Sequence, residues 1–159
     1  MESLKEFTKT GFKELSSKAA VSARRRAHMN VHANLDDPVQ RLFIGLEPDT
    51  YIRPHRHSGQ DKWEFLMVVQ GALDTIIFDD AGAIVAKMRL GPQYSRAVQI
   101  PSGTWHSYVC LEPETIAFEV REGPYIPVEP GDLAPWSPAD NPEAEKHYLD
   151  WMRTTAPIG

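Results

Sequence analysis

The chain has 159 residues, 42% of them hydrophobic and 25% charged, which is room for one domain around one hydrophobic core. Seventeen Lys and Arg against 22 Asp and Glu leave a net charge of −5, which argues against a nucleic-acid partner because phosphate neutralisation needs a basic surface. One cysteine, Cys110, excludes an intrachain disulfide, and no apolar run approaches the roughly 20 residues of a membrane span. The N-terminal stretch lacks the apolar core of a signal peptide, so a cytoplasmic protein with no membrane partner is expected.

Residues 3 to 20 read as a helix, with Ser3 as its cap and Glu6 completing a capping box. Leu4, Phe7, Phe12 and Leu15 form its rough apolar stripe, interrupted by Gly11. From about residue 24 the period becomes two. Arg24, Arg26, His28, Asn30 and His32 fall on one face, and Ala27, Met29, Val31 and Ala33 on the other, as in a half-buried strand. The run Arg24-Arg25-Arg26 is read as a solvated face, and His28, Asn30 and His32 as structural.

Strands are expected at about 39–46, 50–57, 63–70, 73–79, 83–90, 96–101, 105–110 and 115–121, separated by turn sequences such as "EPDT", "DDAG" and "LEPE". Many short strands without strand–helix alternation predict an all-β sandwich or barrel. The stretch "GPYIPVEPGDLAPWSPADNP" then holds six of the 13 prolines. Proline fixes φ and lacks an N–H, so this segment reads as a strap packed over the strands. Asn141 and Pro142 predict the cap and first residue of a last helix, about 142 to 153.

Chemistry concentrates in "RPHRH" and "IPSGTWH". On a strand, Tyr51, Arg53, His55 and His57 share a face, so two imidazoles point the same way. Glu64 and His106 would complete a mixed N/O donor set suited to Fe, Mn, Ni, Zn or Co. The alternative for Glu64 is a carboxylate that accepts from a ligand histidine's N–H. Arg53 is a candidate anchor for an anionic ligand, or an ion-pair partner of a nearby acid. If "LEPE" is a four-residue hairpin loop, Cys110 opposes Thr115 and His106 opposes Glu119. Glu119 would then be an acid/base or orienting carboxylate beside the site; otherwise it is an exposed edge residue. Cys110 is read as a buried small hydrophobe.

His55-x-His57, Glu64 and Gly71 resemble the first cupin motif, and Pro101-x-Gly103-x-x-His106 resembles the second. Asp49, Ser95 and Cys110 stand where the motifs usually have Gly, Gly and Asn, and six residues separate His57 from Glu64 where three or four are commoner. More narrowly, "RPHRH", "DKWE", "FDDAG", "IPSGTWH" and "EVREGPY…APW" resemble the WbuC family of cupin-fold metalloproteins over about residues 24 to 138. The resemblance implies a cupin-type jelly-roll barrel (a double-stranded β-helix) and one divalent metal on His55, His57, Glu64 and His106. It also implies a homodimer and an association with polysaccharide (O-antigen) biosynthesis.

The expectation is a single domain over 1–159: an N-terminal helix within 1–23, a barrel at 24–121, and the strap with the C-terminal helix at 122–159. Its ligand would be a small, anionic, sugar-derived molecule. The reaction would be an isomerisation or epimerisation, with Glu119 and Arg53 as catalytic residues, or an iron-dependent dioxygenation. The competing readings are a non-catalytic, metal-dependent binding or sensing protein and a metal-free barrel with structural histidines.

Overall fold

The structure, a computed structural model, describes residues 4–59 and 62–158. The cap expected at Ser3 lies outside them. Helix α1 (Lys9–Val21) starts later than its apolar stripe suggested, because the Thr8 hydroxyl accepts from the Gly11 N–H at 3.2 Å and fixes the first turn there. Eight strands follow: β1 (Arg26–Asn30), β2 (Val39–Leu46), β3 (Glu64–Gln70), β4 (Leu73–Phe78), β5 (Ile84–Leu90), β6 (Ala97–Ile100), β7 (His106–Cys110) and β8 (Thr115–Glu122). Helix α2 (Pro142–Thr154) begins as its sequence predicts, with the Asn141 side chain accepting from the Ala144 N–H.

The strands form two antiparallel sheets. One has the order β1-β2-β8-β3-β6 and the other β5-β4-β7. Between them lies a core that includes Leu42, Ile44, Leu66, Val68, Leu73, Leu90, Tyr108 and Ala117. Each sheet is also covered outside. Phe12 and Leu15 of α1 pack on Phe43 and Phe118 of the larger sheet, with ring centroids 4.7–4.9 Å apart. Helix and sheet meet closely at Gly45, where an added Cβ would lie 3.1 Å from the Leu15 carbonyl oxygen. On the smaller sheet, Ile76, Phe78 and Val109 pack against Leu149 and Met152 of α2 and against Ala134 and Trp136 of the strap. Lys87 of β5 donates to the carbonyls of Met152, Arg153 and Thr155, tying the C-terminal end of α2 to the sheet.

The expected jelly-roll barrel does not form. Among the described residues no strand pairs across the two sheets, and neither closes on itself, so the β portion is an open two-layer sandwich. The reason lies in residues 50–57, which carry only isolated bridges from His55, to His106 and to Leu133, instead of a strand. Pro54 has no N–H to offer a ladder. Two neighbouring backbone groups turn to the strap: the Arg56 N–H donates to the Asp132 carbonyl, and the Pro54 carbonyl accepts from the Ala134 N–H.

The expected β7–β8 hairpin is also absent. Strand β7 pairs with β4 and β8 with β2 and β3, so "LEPE" carries the chain from one sheet to the other. Cys110 opposes Leu73 rather than Thr115, and Glu119 opposes Leu42 and Leu66 rather than His106. A four-residue connection serves a hairpin or an inter-sheet arch equally well. Thr115 favours the arch, because its hydroxyl donates to the Glu112 carbonyl and accepts from the N–H of Ala72, just before the first residue of β4 in the opposite sheet.

Candidate metal centre

The two motifs are clamped together through their backbones before any side chain is considered. His55 and His106 exchange N–H···O bonds of 3.0 and 2.8 Å. The Pro101-Ser102-Gly103 turn grips the other motif, with the Gly103 N–H and the Ser102 hydroxyl both donating to the His57 carbonyl. Gly103 sits at φ +75°, a conformation that L side chains resist. Arg56, between the two histidines, faces the strap. Its guanidinium pairs with Asp132 at 3.0 Å and lies 4.4 Å from the centre of the Trp105 ring.

This clamp brings His55, His57, Glu64 and His106 into one cluster, each offering a donor atom within 4.8 Å of the others. The His55 Nδ1 is 2.9 Å from the Arg53 carbonyl oxygen, and the His106 Nδ1 is 2.9 Å from that of Thr104. A carbonyl only accepts, so both Nδ1 atoms donate a proton to it and both Nε2 atoms are turned into the cluster. Burial, and then the neighbouring His106, lower the His55 pKa to about 3, so its imidazole is neutral across the physiological range.

Glu64 closes the cluster. It is 2% exposed, with Oε2 lying 3.0 Å from His57 Nε2 and 3.8 Å from His106 Nε2. Burial opposes its ionisation, but the imidazoles of His106 and His57 outweigh burial and hold its pKa well below the usual carboxylate range. The other oxygen accepts a hydrogen bond from the Tyr108 hydroxyl.

The donor set fits a divalent metal. His106 is 1% exposed, yet its Nε2 has no hydrogen-bond partner. A buried polar atom without a partner costs about 1–3 kcal/mol, and a metal ion would satisfy it. Three imidazoles and a carboxylate suit borderline divalent ions.

Glu119 is buried inside the sandwich, with Arg121 at 3.3 Å. Burial, reinforced by the charge on Glu64, raises its pKa to about 8. The carboxyl thus stands near the cluster and keeps a proton at neutral pH, although by a route other than the expected pairing with His106. Arg53 is directed elsewhere: Nη2 donates to the Ala134 carbonyl and Nε to the Ser137 hydroxyl. It shares sequence parity with the histidines but not their direction, because residues 51–57 are not a regular strand.

Tyr108 is the site residue that the sequence reading missed. Its signal was present: His106, Tyr108 and Cys110 alternate onto one face of β7. Cys110 lies in the core as expected. A cavity of about 230 Å³ opens beside His57, lined by Lys62, Arg121, Trp63 and Tyr125 among others.

Known structures share this fold. KdgF from Halomonas sp. is 23% identical, with a TM-score of 0.51 over 67% of this chain and 85% of that one. A cupin superfamily protein from Desulfitobacterium hafniense is 13% identical, with a TM-score of 0.51 over 68% and 86%. Oxalate decarboxylase of Bacillus subtilis, a protein described with Mn(II) centres, is 17% identical, with a TM-score of 0.50 over 70% of this chain and 28% of that one. These likenesses place the fold with cupin-superfamily proteins. Among curated protein sequences none matches. A family model described as a domain of unknown function, DUF6016, matches residues 7–90, more than half of the sequence, and the chain belongs to that family.

Proposed function

We propose that this protein holds one divalent metal ion on His55, His57, Glu64 and His106, and that it binds and transforms a small anionic, sugar-derived molecule beside it. The observation that carries the metal reading is His106 Nε2, buried and unpartnered among three further donors. The ion is of the Fe, Mn, Ni, Zn or Co class, from the donor chemistry. A bound ion would supply Lewis-acid chemistry, or redox chemistry if it is iron.

The cavity beside His57 supports the ligand class. Lys62, paired with Glu122 at 3.3 Å, and Arg121, paired through Nε with Glu119, each keep further N–H donors for an anion, and Trp63 and Tyr125 offer flat apolar faces of the kind that pack against sugar rings. Glu119, protonated at neutral pH, supports proton transfer as in an isomerisation or epimerisation. The WbuC-like sequence pattern supports a place in polysaccharide biosynthesis. Arg121 takes over the anion-anchoring role first given to Arg53.

Elemental analysis of protein purified without a histidine tag tests the metal. We expect about one equivalent, lost in His106→Ala. Substoichiometric metal that His106→Ala leaves unchanged would overturn the proposal. A screen of nucleotide-sugars and phosphosugars with the native metal restored tests the reaction, and absence of turnover across both would leave the non-catalytic binding reading.

A further inference from the structure

A second cavity, of about 1080 Å³, lies between the start of β1, the segment around Tyr51 and one face of α2 from Pro142 to Arg153. Six cationic and four acidic side chains line it, although the protein as a whole carries −5. Two of the acids are engaged: Asp49 pairs with Arg25 at 2.8 Å and Asp150 with Arg153 at 2.7 Å. Asp140 and Glu145 remain at the side formed by α2.

Three arginines facing the cavity have no carboxylate partner among the described residues: Arg24, Arg26 and Arg53. Arg26 is the most informative. It is half-buried, and among the described residues its guanidinium reaches only the Thr50 hydroxyl and the Tyr51 carbonyl. Among the described residues the Arg53 guanidinium bonds only to the Ala134 carbonyl and the Ser137 hydroxyl. The guanidinium of Arg24 makes no hydrogen bond among the described residues. Desolvating a cation beside like charges is unfavourable unless an anion compensates. Burial and the charge of Arg24 accordingly lower the Arg26 pKa to about 10. Guanidinium groups offer forked N–H pairs that match the oxygens of phosphate or carboxylate.

We infer that this cavity is a second binding site, separate from the metal centre, for a ligand bearing a phosphate or carboxylate group held by Arg24, Arg26 and Arg53. Leu133 marks the separation: it lines the cavity on one side and pairs with His55 through the backbone on the other. The inference does not rest on the metal assignment.

Calorimetric titration of the full-length protein with inorganic pyrophosphate and, in parallel, with citrate tests it. We expect saturable binding of at least one, and which one binds identifies the oxyanion. Arg24→Ala and Arg53→Ala should each weaken that binding by about tenfold, roughly one lost charge-assisted hydrogen bond. His106→Ala should leave it unchanged. Arg24→Ala keeps the test informative if Arg53→Ala disturbs the strap, because the Arg24 guanidinium supports nothing in the fold. No saturable binding of either anion overturns the inference. So does binding that His106→Ala abolishes and Arg24→Ala spares, which would place the anion at the metal centre.

Discussion

Tyr108 and Glu64, from opposite sheets, meet through a hydrogen bond in which the phenol donates to Oε1 of the carboxylate. Tyr108 is buried, and burial followed by the charge of Glu64 raises its pKa well above the usual value, so it remains a donor. One oxygen of Glu64 is thus fixed and the other is turned toward His57 and His106. Tyr108 therefore acts as a positioning residue.

Tyr108→Phe should fold normally and bind metal about 10–100-fold more weakly, as when the partner orienting a ligand is removed. Competition against a chelator of known affinity measures this. Unchanged metal affinity would show that Glu64 needs no such support.

Glu119 should give the metal-free protein a downward slope of stability from about pH 4.5 to about pH 8, opposed below about pH 6.5 by His55 and His28, whose lowered pKa values of about 3 and about 4 make stability rise with pH there. Glu119 has its pKa raised in the folded state, so over that range the folded form holds a proton that the unfolded form has released. Glu119→Gln should flatten this slope and be more stable than the parent above pH 8. Urea midpoints across pH measure both effects, and parallel profiles for the two proteins would refute the assignment.

The strap is tied to the His55–His57 segment largely by Asp132, which bonds the Arg56 guanidinium and both the N–H and the hydroxyl of Ser58. Asp132→Ala should cost about 1–2 kcal/mol, reduced from the value for a buried pair because Arg56 is partly exposed. It should also speed proteolysis within residues 124–132. Thermal melts and timed digestion test this, and an unaltered digestion rate would argue against the tie.

The Cys110 thiol should not react with alkylating reagents at pH 8 in the folded protein, and should react fully once unfolded. Burial first, opposed in part by Thr115 and the Glu112 carbonyl, raises its pKa to about 11, and the residue is 1% exposed. Mass spectrometry of alkylated protein with and without denaturant decides.

The sequence by itself determined what depends on near neighbours. Period-two alternation and turn residues located seven of the eight strand regions expected from residue 39 on, together with β1. Asn141-Pro142 set the start of α2 because a cap is a contact across three residues. Motif spacing also gathered His55, His57, Glu64 and His106 in advance, since each motif fixes its own backbone.

Tertiary structure decided whatever depended on which strand lies beside which. "LEPE" bridges two sheets, so Glu119 reaches the site from β8, across the sandwich from His106. Pro54 and the strap prevent residues 50–57 from joining a sheet, so the sandwich stays open and Arg53 turns away from the histidines. Local sequence specifies the hydrogen bonds a segment can make. Only packing specifies the partner that receives them, and that choice separated the histidine–glutamate cluster from the arginine-lined cavity behind it.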